Sequence, residues 1–340
     1  MDYRTLGSSG AAVSTYALGT MTFGAETDED AAHDQLDTFL EAGGSLVDTA
    51  DVYTHGASEE IVGRWLDDRP ADVTDRVVLA TKARMAMGED PNDVGLSRRH
   101  LSRALDAALT RLRVECIDLF QVHAWDPMTP VEETLGFFDD AVRSGKVRYA
   151  GLSNFTGWQV QKAVDVAEHR HLPRPITLQP QYNLLSREVE WEIIPACEAN
   201  GLGLLPWSPL GGGWLTGKYT RDQRPSGDTR LGDNPERGVE AYDKRAASAR
   251  TWAVIDAVQS VAAARGVPMA AVALAWLHDR PTVCSVVLGA RTNEQLTANL
   301  GAAGLHLSAE ETAVLDAASD PAPADYPYGP AGAAQRERAL

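Results

Sequence analysis

Cysteine is scarce in this 340-residue chain, which has three: Cys116, Cys197 and Cys284. They stand far apart and form no C-x-x-C spacing, so buried thiols in a reducing compartment are expected rather than disulfides or a metal centre. Positive charge is scarce too. With 31 Lys+Arg against 48 Asp+Glu the formal net charge is −17, which argues against nucleic acid or an anionic membrane as partner, because polyanions are held by neutralising their phosphates. No apolar run reaches the roughly 18 residues of a transmembrane helix. The opening "MDYRTLGSSG" lacks the basic-then-apolar order of a signal peptide. A cytoplasmic location is the expectation.

What is present is a composition that can build a large core, with 44% hydrophobic residues. "YRTLGSSGAAVS", within residues 3–14, alternates around a Gly/Ser turn and predicts a β-hairpin. Eight short apolar runs follow, at 16–20, 45–50, 76–82, 117–123, 147–154, 175–181, 201–208 and 284–291. Between them lie helical periodicities at 29–42, 58–68, 97–113, 131–144, 157–169, 187–199, 242–265 with 268–279, and 292–300. Eight strand–helix units predict an α/β fold, a (β/α)8 barrel formed by the whole chain as one domain. An open doubly wound sheet is less consistent, since "LGTMTFG" after the first strand does not supply G-x-G-x-x-G. Residues 209–241 are too long for an ordinary connection after strand seven and read as a lid or cofactor clamp. The Pro/Ala/Gly-rich tail 320–340 is expected to be partly flexible.

Barrel chemistry collects where the strands end. Those ends carry Asp48, Lys82, His123, Ser153 with Asn154, Gln179, Trp207 with Ser208, and Gly289 with Arg291. Each has a bland alternative, as a cap, a core histidine or a surface charge. Lysine, however, is rare, five against 26 arginines, and Lys82 closes the apolar run "VVLAT". A buried ammonium there needs a carboxylate, and Asp48 on the adjacent strand can supply it. An unperturbed phenol has a pKa of about 10, which a nearby ammonium lowers, so Tyr53 beside Lys82 is expected to be a general acid. A neutral His123 would orient a substrate oxygen.

"DTADVY", "ATK" and "LFQVH" carry Asp48, Tyr53, Lys82 and His123 in settings that resemble the catalytic tetrad of the aldo-keto reductases. The resemblance covers about residues 3–300. "PNDVGLSRRH", "HAWDPMTPVEET" and "GARTNEQLTANL" are similar to its aryl-alcohol-dehydrogenase-like, bacterial stress-protein branch. It implies reduction of aldehydes or ketones, aryl or medium-chain, by NADPH: Tyr53 the acid, Lys82 lowering its pKa, Asp48 holding Lys82, His123 orienting the carbonyl. Ser153, Asn154 and Gln179 resemble the nicotinamide carboxamide contacts, Trp207 the stacking aromatic. Ser208, Pro209, Leu210, Gly217 and Lys218 lie in a segment similar to the pyrophosphate clamp. Arg291 resembles the 2′-phosphate residue, and Gln295 and Asn299 the adenosine contacts. Gly19, Thr20, Met21 and Gly289 complete the implied cofactor set, and Asp51, which has no counterpart, reads as a loop or capping residue.

Phe23, Met85 and Trp125 are candidates for an apolar substrate wall beside Tyr53 and His123, with Met87, Tyr326 and Tyr328 as further options. The implied partner is a small carbonyl compound, and no metal is implied; these features leave monomer and homo-oligomer open. Competing readings are a regulatory protein similar to potassium-channel β subunits, a keto-sugar reductase, and a lyase using Lys82 as a Schiff base.

Overall fold

The computed structural model describes residues 1–335 apart from 228, 237 and 324. An antiparallel hairpin, β1 (Tyr3–Thr5) and β2 (Ala12–Ser14), comes first. Eight parallel strands follow: β3 (Tyr16–Gly19), β4 (Leu46–Asp48), β5 (Val78–Ala83), β6 (Ile117–Val122), β7 (Val147–Ser153), β8 (Thr177–Gln179), β9 (Gly203–Leu204) and β10 (Val286–Gly289). They pair in chain order, and β10 lies beside β3. The remaining seam is bridged by the Leu204 amide donating to Thr282, that of Cys284 to Leu204 and that of Val287 to Pro206, at 2.9, 2.9 and 3.0 Å. The fold is the (β/α)8 barrel. Among the described residues no single helix is long and apolar enough to cross a membrane.

The helices form where apolar spacing and caps agree. Ser97 Oγ accepts from the His100 amide at 3.2 Å and starts Arg98–Leu112, which buries Leu101, Leu105, Ala108 and Leu112 on one face. Two boundaries differ from expectation. The helix expected over 187–199 is Ile193–Asn200, because Pro195 is tolerated only in a first turn and would clash with a preceding helical carbonyl. Residues Glu188–Glu190 form a 3-10 turn instead, beside the Arg187–Glu190 ion pair at 2.7 Å. The helix expected over 242–265 breaks into Tyr242–Ala246 and Ala249–Arg265, Ser248 being extended. Trp252 Nε1 donates to the Ala246 carbonyl at 2.9 Å at the break. In the tail, Pro330–Ala334 is helical and Tyr328 stacks on Trp191 with centroids 5.5 Å apart; residues 336–340 lie outside the described residues.

Strand alternation positions the site. Leu46, Ala80 and Leu119 share a small apolar cluster inside the barrel, whereas Val47 and Phe120 point out to the larger core under the helices. With a period of two, the next inward positions are Asp48, Lys82 and Gln121. Parallel register pairs Lys82 with Gln121 and Ser153 with Gln179. An apolar layer therefore floors a polar one.

The hairpin segment adds to the inner apolar cluster. Leu6 and Val13 are fully buried in the inner cluster with Ile176, Leu205 and Cys284, each such side chain contributing about 1.5–3 kcal/mol. Gly7 makes the approach possible: its φ is +58°, and a Cβ there would lie 1.9 Å from the Ile176 carbonyl oxygen. A Cβ on Gly10 would meet nothing within 4 Å. Urea unfolding should show Gly7→Ala destabilised by roughly 2–4 kcal/mol and Gly10→Ala changed by less than about 0.5 kcal/mol; equal effects would contradict this packing.

Candidate active site

Lys82 sits in the polar layer with its side chain fully buried, and its Nζ lies 2.7 Å from Asp48 Oδ2 and donates to the Thr49 carbonyl at 2.7 Å. Asp48 Oδ1 accepts from Gln179 Nε2 at 2.9 Å and from Gln121 Nε2 at 3.3 Å. Both carboxylate oxygens are thus satisfied, as a buried charge requires. Burial opposes the Lys82 charge, but Asp48 and then Tyr53 outweigh it and hold the ammonium above its ordinary pKa.

Tyr53 lies at the start of a short 3-10 turn, Tyr53–Gly56, after β4. Lys82 Nζ is 5.0 Å from its ring centroid, and His123 meets that ring edge-on at 6.0 Å. The expected lowering of the phenol pKa is not the net result. Burial raises it above 10, Lys82 pulls down, and Asp48 and Asp51 push up; because Asp48 neutralises much of the field of Lys82, the ammonium limits the rise rather than reversing it. Burial, then Lys82 and Arg84, lower His123 to about 3, so its imidazole is neutral. Its Nδ1 has no hydrogen-bond partner among the described residues.

A cavity of about 560 Å³ opens above this layer. Its wall includes Gly19, Met21, Asp48, Tyr53, His123, Ser153, Asn154, Gln179, Trp207, Ser208, Pro209, Leu210, Lys218, Gly289, Arg291, Gln295 and Asn299. Asn154, at φ 55°, donates from Nδ2 to the His123 carbonyl at 2.9 Å and accepts from Trp207 Nε1 at 3.1 Å, which fixes the indole beside the cavity. Ser153 Oγ donates to the Gln179 carbonyl at 2.8 Å.

At the far end stand three cations, Lys218, Arg230 and Arg291. Burial, then Arg291 and Arg230, push the Lys218 ammonium below its ordinary value. An anion such as a phosphate would relieve that repulsion. Lys218 lies over Gly213, whose φ of +98° favours glycine and whose missing Cβ leaves room for the Lys218 side-chain end. That loop has its own aromatic support, Trp214 stacking on Tyr242 at 5.4 Å.

Six expected positions lie off the wall, one of them Lys82, whose side chain is fully buried against Asp48. Thr20 is buried with its hydroxyl 2.7 Å from Ser58 Oγ. Phe23 is fully buried in the core under the helices. Gly217 is the left-handed cap that ends the turn Gly211–Thr216. Met85 Sδ accepts from Arg84 Nη1 at 3.8 Å. Trp125 packs edge-to-face on Phe155 and Trp158, both at 5.3 Å. Of the further options, Tyr326 is exposed and Tyr328 is on Trp191. Gln121 and Arg230 were missed: Gln121 shares the inward parity of His123, while Arg230 follows an irregular loop and left no such signal.

A sequence model of the Aldo/keto reductase family matches residues 16–320. The chain belongs to the aldo/keto reductase family. It is 36% identical over 324 residues to the uncharacterized oxidoreductase YrpG of Bacillus subtilis, spanning 93% of this chain and 95% of that one. It is 37% identical to a probable voltage-gated potassium channel subunit beta of Oryza sativa subsp. japonica, over 89% and 91%. With versiconal hemiacetal acetate reductase of Aspergillus parasiticus it shares 33%, over 93% and 96%. These relatives agree with the aryl-alcohol-dehydrogenase-like branch.

In this aldo/keto reductase Asp51 is not a cap. The helix Ala57–Asp68 is preceded by Gly56, and the Asp51 carboxyl is buried, both oxygens lacking a well-aligned partner among the described residues. Burial first, then Glu59, raise it from 3.8 to about 7, against the Val52 amide, Arg111 and Lys82. Between those two values the folded state holds a proton that the unfolded chain has lost, so this group's stability contribution is full below the lower value and falls as pH rises to the upper. Asp51→Asn copies the neutral acid. Its thermal-midpoint gain over wild type should grow from about pH 5 to about pH 7 and then level off, and a constant difference across that range would contradict a neutral buried acid.

Proposed function

We propose that the chain is an NADPH-dependent reductase of aldehydes and ketones, aryl or medium-chain, working in the cytoplasm on a small-molecule substrate. The observation that carries this reading is one cavity bounded at its floor by Tyr53, His123 and Asp48, the counter-ion of the fully buried Lys82, and at its far end by Lys218, Arg230 and Arg291. The mutually repelling cations and glycine-lined loop fit a dinucleotide's phosphates. The Trp207 face, with Asn154 and Ser153, fits a planar nicotinamide.

Bound there, the reduced nicotinamide supplies hydride to the carbonyl carbon. The residues do the rest. Tyr53 stays protonated at neutral pH and donates its hydroxyl proton to the carbonyl oxygen as negative charge develops on it. Lys82, held charged by Asp48, stabilises the resulting phenolate. His123, being neutral, offers one N–H to the same oxygen and cannot compete as an acid. Gln179 and Gln121 position Asp48. The high pKa of Lys82 disfavours a Schiff-base lyase, which needs a neutral amine.

A second reading follows from the rice relative's name: a cofactor-binding regulatory subunit. Steady-state reduction of an aryl aldehyde panel separates the two, because turnover too slow to measure with NADPH bound would favour the regulatory role. Tyr53→Phe should lower kcat by about 10²–10⁴-fold while the NADPH dissociation constant from fluorescence titration changes less than about twofold; retained turnover would remove Tyr53 as the acid. Arg291→Ala should weaken NADPH by roughly 10–100-fold, the loss of a charge-assisted phosphate contact, and leave NADH nearly unchanged. Equal losses for both cofactors would reject the 2′-phosphate assignment.

A further inference from the structure

At the opposite end of the barrel from the cavity, three side chains from two segments converge. His278 ends the helix Met269–His278, Asp279 is the residue after it, and His306 lies in the connection after the helix Asn293–Leu300. His278 Nδ1 is 3.0 Å and His306 Nδ1 2.8 Å from the same oxygen, Asp279 Oδ1. One donor atom from each lies within 4.8 Å of the other two. The other carboxylate oxygen, Oδ2, accepts from the Leu307 amide at 3.2 Å, which orients the carboxylate toward the imidazoles.

We propose that His278, Asp279 and His306 form a binding site for a zinc-like divalent transition ion. Zinc takes imidazole nitrogen at about 2.0–2.1 Å and carboxylate oxygen at about 2.0–2.2 Å, so tetrahedral ligands stand roughly 3.3 Å apart. The nitrogen–oxygen separations here need to open by only a few tenths of an ångström. Two nitrogens and one oxygen suit zinc, and not the hard, oxygen-seeking magnesium or calcium.

The ligands differ in how firmly they are held. The His278 ring is buried and stacked on Tyr16, centroids 5.6 Å apart and 25° between planes. The His306 side chain is 59% exposed, so an ion can enter from solvent and keep a water on its open side. Arg4, whose charge acts on His278, is engaged with the Val283 carbonyl at 2.5 Å and the Arg280 carbonyl at 3.4 Å, and Arg265, which donates to the His306 backbone carbonyl at 3.4 Å, is paired with Glu311. Each neutral imidazole would present the Nδ1 lone pair and carry its proton on Nε2, so binding changes the tautomer and leaves the proton count of a neutral ring unchanged. Tyr16 begins β3, which places the ion at the barrel floor. There it would tie the end of the helix Met269–His278 to the 301–308 connection as a brace and take no part in carbonyl chemistry.

The test uses the full chain, stripped with a chelator and titrated with zinc chloride by calorimetry, with thermal unfolding in parallel. Wild type should bind one ion per chain and gain thermal stability, with no response to magnesium chloride. His306→Ala and His306→Gln should each weaken zinc roughly tenfold or more, since even outer-shell partners of a metal are worth that much. The glutamine variant keeps a hydrogen bond to Asp279, so its loss would separate ligation from simple pairing. Cobalt should give the visible d–d absorption of a four-coordinate site in wild type and lose it in both variants. Zinc binding of equal strength in wild type and both variants, or none in wild type, would overturn the proposal.

Discussion

A lysine ammonium buried in a barrel core is the constraint on which the rest of the structure turns. Desolvating Lys82 and Asp48 costs several kcal/mol per ion, and only close pairing with every remaining lone pair and proton satisfied makes it tolerable. The structure meets that condition from four strands: Asp48 on β4, Lys82 on β5, Gln121 on β6 and Gln179 on β8, with the Thr49 carbonyl as a further acceptor. Slipping any of these strands by one residue would turn its polar side chain outward and leave a charge unpaired. Barrel register and the chemistry at the cavity floor are thus the same requirement.

That pair also explains why two carboxylates three residues apart behave so differently. Asp48 reaches an ammonium and two amide donors; Asp51, after the strand has turned, meets burial and the charge of Glu59, itself tied to Arg111 at 2.7 Å. One is a counter-ion and the other a neutral acid. Tyr53 feels both, and its proton is retained at neutral pH, which suits the proposed role of giving that proton away only when a carbonyl oxygen becomes basic. Any lowering of the phenol pKa must come from what binds in the cavity or from the reaction itself.

Much of this was legible in the sequence for a simple reason. Parallel strands covered by helices read as short apolar runs, and their polar last residues stand out against them. Asp48, Lys82, His123, Ser153 and Gln179 were visible that way. Gln121 was hidden inside an apolar-looking run, although its parity with His123 marked it as inward-facing. Helix boundaries at Ile193 and Ser248 depended on Pro195 and on a single extended residue, which outweighed a continuing apolar pattern. Substrate-side residues were the least legible. Phe23, Met85 and Trp125 are apolar residues near the mouth, and only tertiary packing decides that the first is core, the second sits against Arg84 and the third against Phe155 and Trp158. The segment before Arg230 has no periodic signal at all.

On the proposed function the Lys82–Asp48 pair serves proton donation by Tyr53 and not only the fold. Removing one partner would confound the two, since the orphaned charge costs about 3–5 kcal/mol. The direct test is single-turnover reduction of an aryl aldehyde by saturating NADPH in the double variant Asp48→Asn/Lys82→Met, with the unfolding midpoint measured alongside. That role predicts a midpoint close to wild type and a reduction step slower by about 10²–10⁴-fold. A reduction step within a few-fold of wild type would contradict it and leave the buried pair a purely structural element.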